Sequence, residues 1–354
     1  MKMTQTIWKM IEVADRIAIG GHIRPDGDCV GSCMGLYHFI KNEYPDKEVI
    51  VYLGEYSEDF NFLRGIREIV SCPVPEKVEA AIQAAPHFDL FIALDTSNTE
   101  RLEFYPLFQK ADRTICIDHH VTNEGYAEEN MVFQASSTSE AVYDLIMARQ
   151  GITGISEEIV HEGLCRASTE SFDSRAAAKL PIEVAEPLYM GIVHDTGVFK
   201  HNNTTRHTME VAGHLVALGV NTSKVIDDTF YKKTYTQNLL LGRALLESVC
   251  YEDGKVITAV IPQQYFTFYH ASKPDLEGIV DQLRVTDGVE VAIFAYETQG
   301  GDFKFSMRSK SYVDVSKVSV VFGGGGHIRA AGCTIAKPYK EALGLLIQEI
   351  KKQL

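Results

Sequence analysis

Histidines and aspartates gather in a few short phrases of this sequence, most of which follow an apolar run. His22, Asp26 and Asp28 fall in GHIRPDGDCVGS after RIAIGG, Asp95 follows LFIAL, and Asp118-His119-His120 follows TICI. Asp195 lies in GIVHDTGVF. Carboxylates pressed together repel each other and rise in pKa unless cations neutralise them. Mixed His and Asp donors suit Mn²⁺, Zn²⁺ or Fe²⁺ better than Ca²⁺. The set His22, Asp26, Asp28, Asp95, His119 and Asp195 is too large for one tetrahedral ion and suits two ions sharing a bridging carboxylate. Two ions roughly 3.5–4 Å apart can hold a hydroxide between them and stabilise both attacking and leaving oxygens in a phosphoryl displacement. The expected reaction is direct attack of that hydroxide on phosphorus, with no covalent enzyme intermediate. Taken singly, each residue has a plainer reading, because an Asp at a strand end is usually a cap or turn former. The Asp-His-His triplet and the shared location of the set argue against that.

The elements that must position these donors alternate in type. RIAIG (Arg16–Gly20), residues 49–53, LFIAL (Leu90–Leu94) and residues 114–117 read as buried strands, separated by helical spacing over 29–41 and 78–85. Strands alternating with helices predict a parallel α/β sheet. Loops at the carboxyl ends of such strands meet on one edge, so three donor-rich ends converge there. Asp195 would arrive from one side, after a helix over 182–193. Ser137-Thr138-Ser139-Glu140 reads as a capping box opening a helix over 140–148. After residue 150 the pattern predicts helices over 156–164, 182–193 and 205–218, with 166–179 a surface loop or frayed helix. A helical run over 236–248 could bridge to a second domain. From Val256 the texture turns to strands (VITAVI, VAIFAYE, DFKFSMRS), then a short helical piece and a glycine run.

That run, Gly323-Gly324-Gly325-Gly326-His327, is the second feature with chemical meaning. Successive glycine N–H groups can form an anion nest, although a flexible turn is the default for such a run. Here it follows FSMRSKS, whose Arg308 lies near a strand end and can fork onto a phosphate.

Composition narrows the choice. The 354 residues are 45% hydrophobic and 23% charged, ordinary for a soluble globular protein and enough for two domains. A net charge of −14 argues against gripping long nucleic acid through a basic surface, while leaving room for a small phosphorylated substrate. Seven scattered cysteines without a CxxC pair fit free thiols in a reducing compartment, and Cys29 and Cys33 read as buried small hydrophobes. The N-terminal stretch has no cleavage-site pattern and no run is long enough to cross a bilayer, so a cytoplasmic protein without membrane contact is expected.

At this point the sequence resembles the DHH superfamily, most closely its short two-domain group of oligoribonucleases (nanoRNases) and 3′-phosphoadenosine 5′-phosphate phosphatases. The matching phrases are HIRPDGD from His22, Asp95-Thr96-Ser97, Asp118-His119-His120, ASSTSE from Ala135, GIVHDTG from Gly191, and GGGGHIRAAG from Gly323, spanning nearly the whole chain. The resemblance implies a parallel-sheet catalytic domain over 1–230, a helical linker over 231–249 and a smaller mixed-sheet DHH-associated domain over 250–354, with the active site in the cleft between the domains. It implies one Mn²⁺ on His22, Asp26 and Asp95, and a second on Asp28, Asp95, His119 and Asp195, with Asp95 as the bridge. His120 would face the scissile phosphate as stabiliser or proton donor, and Asp118 would orient a neighbour rather than bind metal. Arg308, the four glycines and His327 would hold the substrate's phosphate or terminal nucleotide. The chain departs from the group over 159–179, which looks like extra sequence.

The leading expectation is hydrolysis of short oligoribonucleotides to mononucleotides, with 3′,5′-bisphosphonucleotides as a further substrate class. A linear or cyclic dinucleotide phosphodiesterase is the alternative among enzymes, and a polyphosphatase fits less well for want of a basic track. A non-catalytic nucleotide-binding protein would be expected to show an eroded ligand set, whereas all six positions are filled. An apolar helix face leaves room for a homodimer.

Overall fold

The computed structural model describes residues 3–72, 75–151, 155–160, 164–167 and 180–354. The chain divides into two units, Met1–Lys232 and Lys233–Leu354. In the first, strands β1 (Arg16–Gly20), β2 (Glu48–Gly54), β3 (Val70–Cys72), β4 (Leu90–Leu94), β5 (Arg113–Asp118) and β6 (Glu129–Val132) form one sheet in the order β3-β2-β1-β4-β5-β6. Every pairing in it is parallel. The flanking helices are α1 (Met3–Val13), α2 (Gly27–Glu43), α3 (Pro75–Ala84), α4 (Tyr105–Lys110), α5 (Thr138–Arg149), α6 (Ile182–Asp195) and α7 (Arg206–Ala217). This is the expected parallel α/β sheet. The unforeseen strands β3 and β6 are its edges, too short and too polar to stand out from their sequence.

Both faces of the sheet are buried, and the alternation of side chains along a strand assigns them. Ile17 and Ile19 of β1 and Ile92 of β4 share a core with residues of α1, α2, α5 and α6. Ala18 and Phe91 point the other way, into a cluster with Phe88, Phe104 and Phe108. On the first face α2 and α6 pack closely because α2 carries glycine every fourth residue. A β-carbon on Gly31 would meet the Pro187 carbonyl oxygen at 2.4 Å, and one on Gly35 would meet the Leu188 side chain at 2.4 Å. Asp28, one residue into this seam, is thereby carried against α6.

The helix expected over 156–164 is not formed. Strands β7 (Ile155–Val160) and β8 (Leu164–Ala167) instead pair antiparallel with an irregular register. Short apolar runs fit helix and strand patterns equally well, and the β-branched Ile155, Ile159 and Val160 favour the strand. Residues 161–163 and 168–179, with most of the expected loop, lie outside the described residues.

The second unit is a mixed sheet of β9 (Val249–Tyr251), β10 (Val256–Ile261), β11 (Val291–Glu297), β12 (Phe303–Ser309), β13 (Gly325–His327) and β14 (Ala330–Ile335), in the order β13-β14-β12-β11-β10-β9. Only β10 and β11 pair in parallel. Helices α8 (Tyr235–Leu246), α9 (Gln263–Phe268), α10 (Ile279–Arg284), α11 (Val315–Val321) and α12 (Tyr339–Lys351) cover it. Leu240 and Ala244 of α8 are buried against this sheet with Ile257 and Ala259, so the segment read as a bridge is part of the second core. Among the described residues no helix is long and apolar enough to cross a membrane.

Candidate metal centre

Strand order reverses between β1 and β4, and the crevice at the carboxyl ends of such a pair is where open α/β sheets bind ligands. His22 follows β1, Asp95 follows β4, and Asp118 ends β5. The His22 Nδ1 lies 2.8 Å from the Ile23 carbonyl oxygen. With Nδ1–H donated there, Nε2 is left to face Asp95 Oδ2 at 3.4 Å and Asp26 Oδ1 at 3.7 Å. The His119 Nε2 stands 3.6 Å from both Asp95 Oδ1 and Asp195 Oδ2. Such gaps are long for hydrogen bonds, but two donors each about 2.1 Å from one ion stand roughly 3–3.5 Å apart. The two oxygens of Asp95 thus face different histidines, dividing the donors into two groups with one carboxylate in common.

Asp95 is held in that posture. Its backbone takes the left-handed φ of 55°, uncommon for a residue with a side chain, and the Thr138 hydroxyl donates to Oδ1 at 3.0 Å. Asp28 is secured by the same helix start: Thr138 N donates to its Oδ2 at 2.7 Å and Ser139 N to its Oδ1 at 2.9 Å. These are among the orphan N–H groups of α5, and its positive dipole end favours a carboxylate there. Ser137 caps Glu140 N as expected, but Glu140 accepts from the Ser136 hydroxyl instead of closing the capping box. Asp26 caps α2 through the N–H groups of Asp28 and Cys29.

The electrostatics are those of crowded acids. Burial, then Asp95 and Asp195, push the Asp28 carboxyl well above its ordinary range. Burial likewise raises Asp195, with Asp95 and Asp26 adding to it against the opposing pull of His119. Burial opposes charge on His22, but negative charge on Cys29 and the hydrogen bonds to Asp26 and Asp95 outweigh it and push the imidazole up to about 12. Buried carboxylates of this kind call for cations, and the His/Asp donor chemistry fits divalent transition ions.

Asp118 is fully buried, and one of its carboxylate oxygens lies within 4.8 Å of ligand atoms of Asp95, His119 and His120. Its Oδ1 accepts from His120 Nδ1 at 2.7 Å and from the His119 N–H at 2.8 Å, while its Oδ2 accepts from Asn123 at 2.7 Å. The His120 imidazole is consequently raised in pKa, chiefly by that hydrogen bond, and about one third of its side chain is exposed.

Three features escaped the sequence reading. Cys29 is buried as expected, yet its thiol is grouped with His22 and Asp95, all three ligand atoms within 4.8 Å of one another. His194 stacks edge-on against Phe60 and Phe230, bonds Thr229, and fits only because Gly27 has no β-carbon. After Asp195 the chain runs through three consecutive left-handed residues, Gly197, Val198 and Phe199, at φ 57°, 59° and 61°. For the β-branched Val198 that is a true outlier, costing about 1–3 kcal/mol.

The residues expected to hold substrate lie in the second unit. Gly325, Gly326 and His327 form β13, so half of the expected glycine nest is an edge strand. A β-carbon on Gly324 would meet the Gly332 carbonyl oxygen at 2.2 Å, and one on Gly326 the Ala330 carbonyl oxygen at 2.4 Å, so close strand approach demands both glycines. Gly323 ends α11 at a positive φ of 73°. Arg308 pairs with Asp281 at 3.4 Å.

Fold and site together define an α/β protein with a candidate His/Asp metal-binding cluster on the carboxyl edge of a parallel sheet. The chain belongs to the DHH family, whose N-terminal domain matches residues 16–192, and a DHHA1 domain matches residues 253–354. It is 26% identical over 337 residues to the bifunctional oligoribonuclease and PAP phosphatase NrnA of Thermus thermophilus, covering 95% of this chain and 88% of that protein. Against the Bacillus subtilis protein of the same name the identity is also 26%, over 94% of this chain and 93% of the other. The crystal structure of an exopolyphosphatase-related protein from Bacteroides fragilis superposes with a TM-score of 0.80 at 25% identity, covering 99% of this chain and 96% of that one.

Proposed function

We propose that this chain is a divalent-metal-dependent phosphoesterase that hydrolyses short oligoribonucleotides to mononucleotides and also acts on 3′,5′-bisphosphonucleotides. The observation that carries this reading is the division of six donors into two groups sharing Asp95. His22, Asp26 and Asp95 would hold one ion, and Asp28, Asp95, His119 and Asp195 the other, with Mn²⁺ suited to such mixed ligands. The bound ions would activate the nucleophile and neutralise charge building on the phosphate. NrnA relatives aligned over nearly the whole chain support the substrate class.

The chain's own residues supply the rest. Asp118 accepts a hydrogen bond from His120 Nδ1, which fixes the ring and leaves Nε2 as the nitrogen for other partners. With its pKa raised, His120 can carry a proton near neutrality and give it from Nε2 to the departing oxygen, or hold it against the phosphate. In the second unit, Arg308 and the glycine-rich β13 with His327 would take the substrate's phosphate or terminal nucleotide. Five buried free cysteines among the described residues suit a reducing compartment, and we place the protein in the cytoplasm.

The test is a product time course with end-labelled RNAs of two, five and twenty-four nucleotides, with Mn²⁺ and with EDTA. Mn²⁺-dependent conversion of the short RNAs, with the long one spared, is expected. Absence of cleavage of every RNA, alongside turnover of a cyclic dinucleotide, would replace the substrate assignment while keeping the metal centre.

A further inference from the structure

We infer that Asn203 is a positioning residue for the second ion, and that it works by lashing Asp195 to the loop that holds Asp28 and Asp95. Its Nδ2 donates to two main-chain carbonyls, that of Ser136 at 2.9 Å and that of Asp195 at 3.2 Å. Of the two ends of the amide only the nitrogen, with its two hydrogens, can donate to both carbonyls, so the acceptors fix which end points inward. The inference rests on the two-ion reading above, and concerns how one of its ligands is kept in place.

The need for such a tie follows from the surroundings of Asp195. This residue ends α6, and no side-chain hydrogen bond to its carboxylate is present among the described residues. Asp28 and Asp95, by contrast, are pinned by Ser139 and Thr138. Directly beyond Asp195 lie the three left-handed residues 197–199, whose strained turn would relax if released. Thr196 holds the first part of that turn, accepting from Phe199 N at 3.0 Å and donating to the Ile192 carbonyl at 2.6 Å. Asn203 closes it from the far side. Because its other contact is Ser136, one residue before the Ser137 cap, a single amide joins the two pieces of chain that must approach each other around the second ion.

A role confined to fold stability is less consistent with the rest of the side chain. Asn203 Oδ1 is buried with no hydrogen-bond partner among the described residues, a costly arrangement that a leucine of similar size would remove along with the donors. Asn203→Leu also takes a donor from the Ser136 and Asp195 carbonyls, so the two effects oppose each other and melting should shift by only a few degrees, while the geometry at Asp195 loosens.

The experiment is Mn²⁺ titration of the full chain by calorimetry, with melting temperature recorded in parallel, for the native protein, Asn203→Leu, Asp195→Asn and the double variant. The native protein is expected to bind two ions. Asn203→Leu should weaken one of them by about tenfold or more, leave the other within about threefold, and shift melting by only a few degrees. In the Asp195→Asn background the same substitution should have almost no further effect on ion binding, because the ligand it positions is already lost. An equal loss in both backgrounds, two unchanged affinities, or a matched loss of both ions would overturn the inference. Native protein binding fewer than two ions would instead remove the two-ion reading on which it rests.

Discussion

A β-carbon on Gly191 would stand 2.7 Å from Asp28 Oδ1 and 1.9 Å from the Ser139 hydroxyl oxygen. The empty side of Gly191 is what lets α6 pass directly behind the helix start that grips Asp28. Gly191→Ala should push Ser139 and Asp28 away from α6. The cost of such overpacking is about 1–3 kcal/mol, lowering the melting temperature by roughly 2–12 °C. Bound metal should fall further than stability does, because an oxygen proposed to hold the second ion is displaced. Metal analysis after dialysis against low Mn²⁺ checks this, and full occupancy in the variant would count against the packing argument.

Thr138 contributes both its N–H, to Asp28, and its hydroxyl, to Asp95. Thr138→Val keeps the shape and the N–H but deletes the hydroxyl. A hydrogen bond to a buried carboxylate contributes about 1.5–3 kcal/mol, so ion affinity should drop by about 10- to 100-fold. The Ser137 cap is untouched, so α5 should remain formed. Affinity measured by Mn²⁺ titration decides the point, with circular dichroism as the control.

Much of this centre was legible because its donors follow recognisable strands: RIAIGG, LFIAL and TICI each predict a strand end, and parallel pairing brings those ends together. What stayed hidden depends on contacts between residues distant in sequence. Nothing in GDCVGSCMG says that Gly27 faces His194 or that Gly31 faces Pro187. The hydrogen bonds from Thr138 and Ser139 to Asp95 and Asp28 join residues 43 and 111 positions apart. Nothing in HNNTT distinguishes Asn203, whose hydrogen bonds to the Ser136 and Asp195 carbonyls depend on the fold. Strand β7 falls where a helix over 156–164 is expected, because its few apolar residues satisfy both periods.

Asp118 and His120 should separate turnover from ion binding. Asp118→Asn keeps the size of the side chain but replaces the carboxylate that accepts from His120 Nδ1. The ring should lose its fixed orientation and its raised pKa, lowering kcat by about 10- to 100-fold, as with other groups that orient a ligand or catalytic residue. His120→Ala should lose turnover while both ions stay bound. Loss of an ion from His120→Ala would move that residue into the metal-binding set.

Ion binding should release protons and weaken as pH falls. In the metal-free protein the folded pKa values of Asp28 and Asp195 lie above the ordinary 3.8, and His22 is raised to about 12. All three must be deprotonated to act as ligands. For the two carboxyls the sign is clear: above pH about 4 the folded chain keeps protons that the unfolded chain has lost. The stability of the metal-free protein therefore falls as pH rises from 3.8 through their folded pKa values, and bound ions reverse that loss. Calorimetry in two buffers of different ionisation enthalpy at pH 7 should report net proton release. Binding without proton release would mean that these groups are already ionised.

Arg308 and His327 should govern substrate binding. Both pair with Ala330, from opposite sides, so their side chains emerge on one face of the sheet about two strand spacings, or roughly 10 Å, apart. That separation can span a phosphate and the sugar attached to it. Asp281 already engages the Arg308 guanidinium at 3.4 Å, so a substrate phosphate bound there would have to compete with a carboxylate for it. Arg308→Ala should raise KM for a dinucleotide about tenfold, with ion affinity unchanged, because a charge-assisted contact to phosphate is lost without touching the metal ligands. Asp281→Asn should act in the opposite direction, freeing the guanidinium and lowering KM. Steady-state kinetics on both variants provides the check: KM unaltered in Arg308→Ala would remove that residue from the substrate site, and KM raised in Asp281→Asn would make Asp281 a support for Arg308 instead of a competitor.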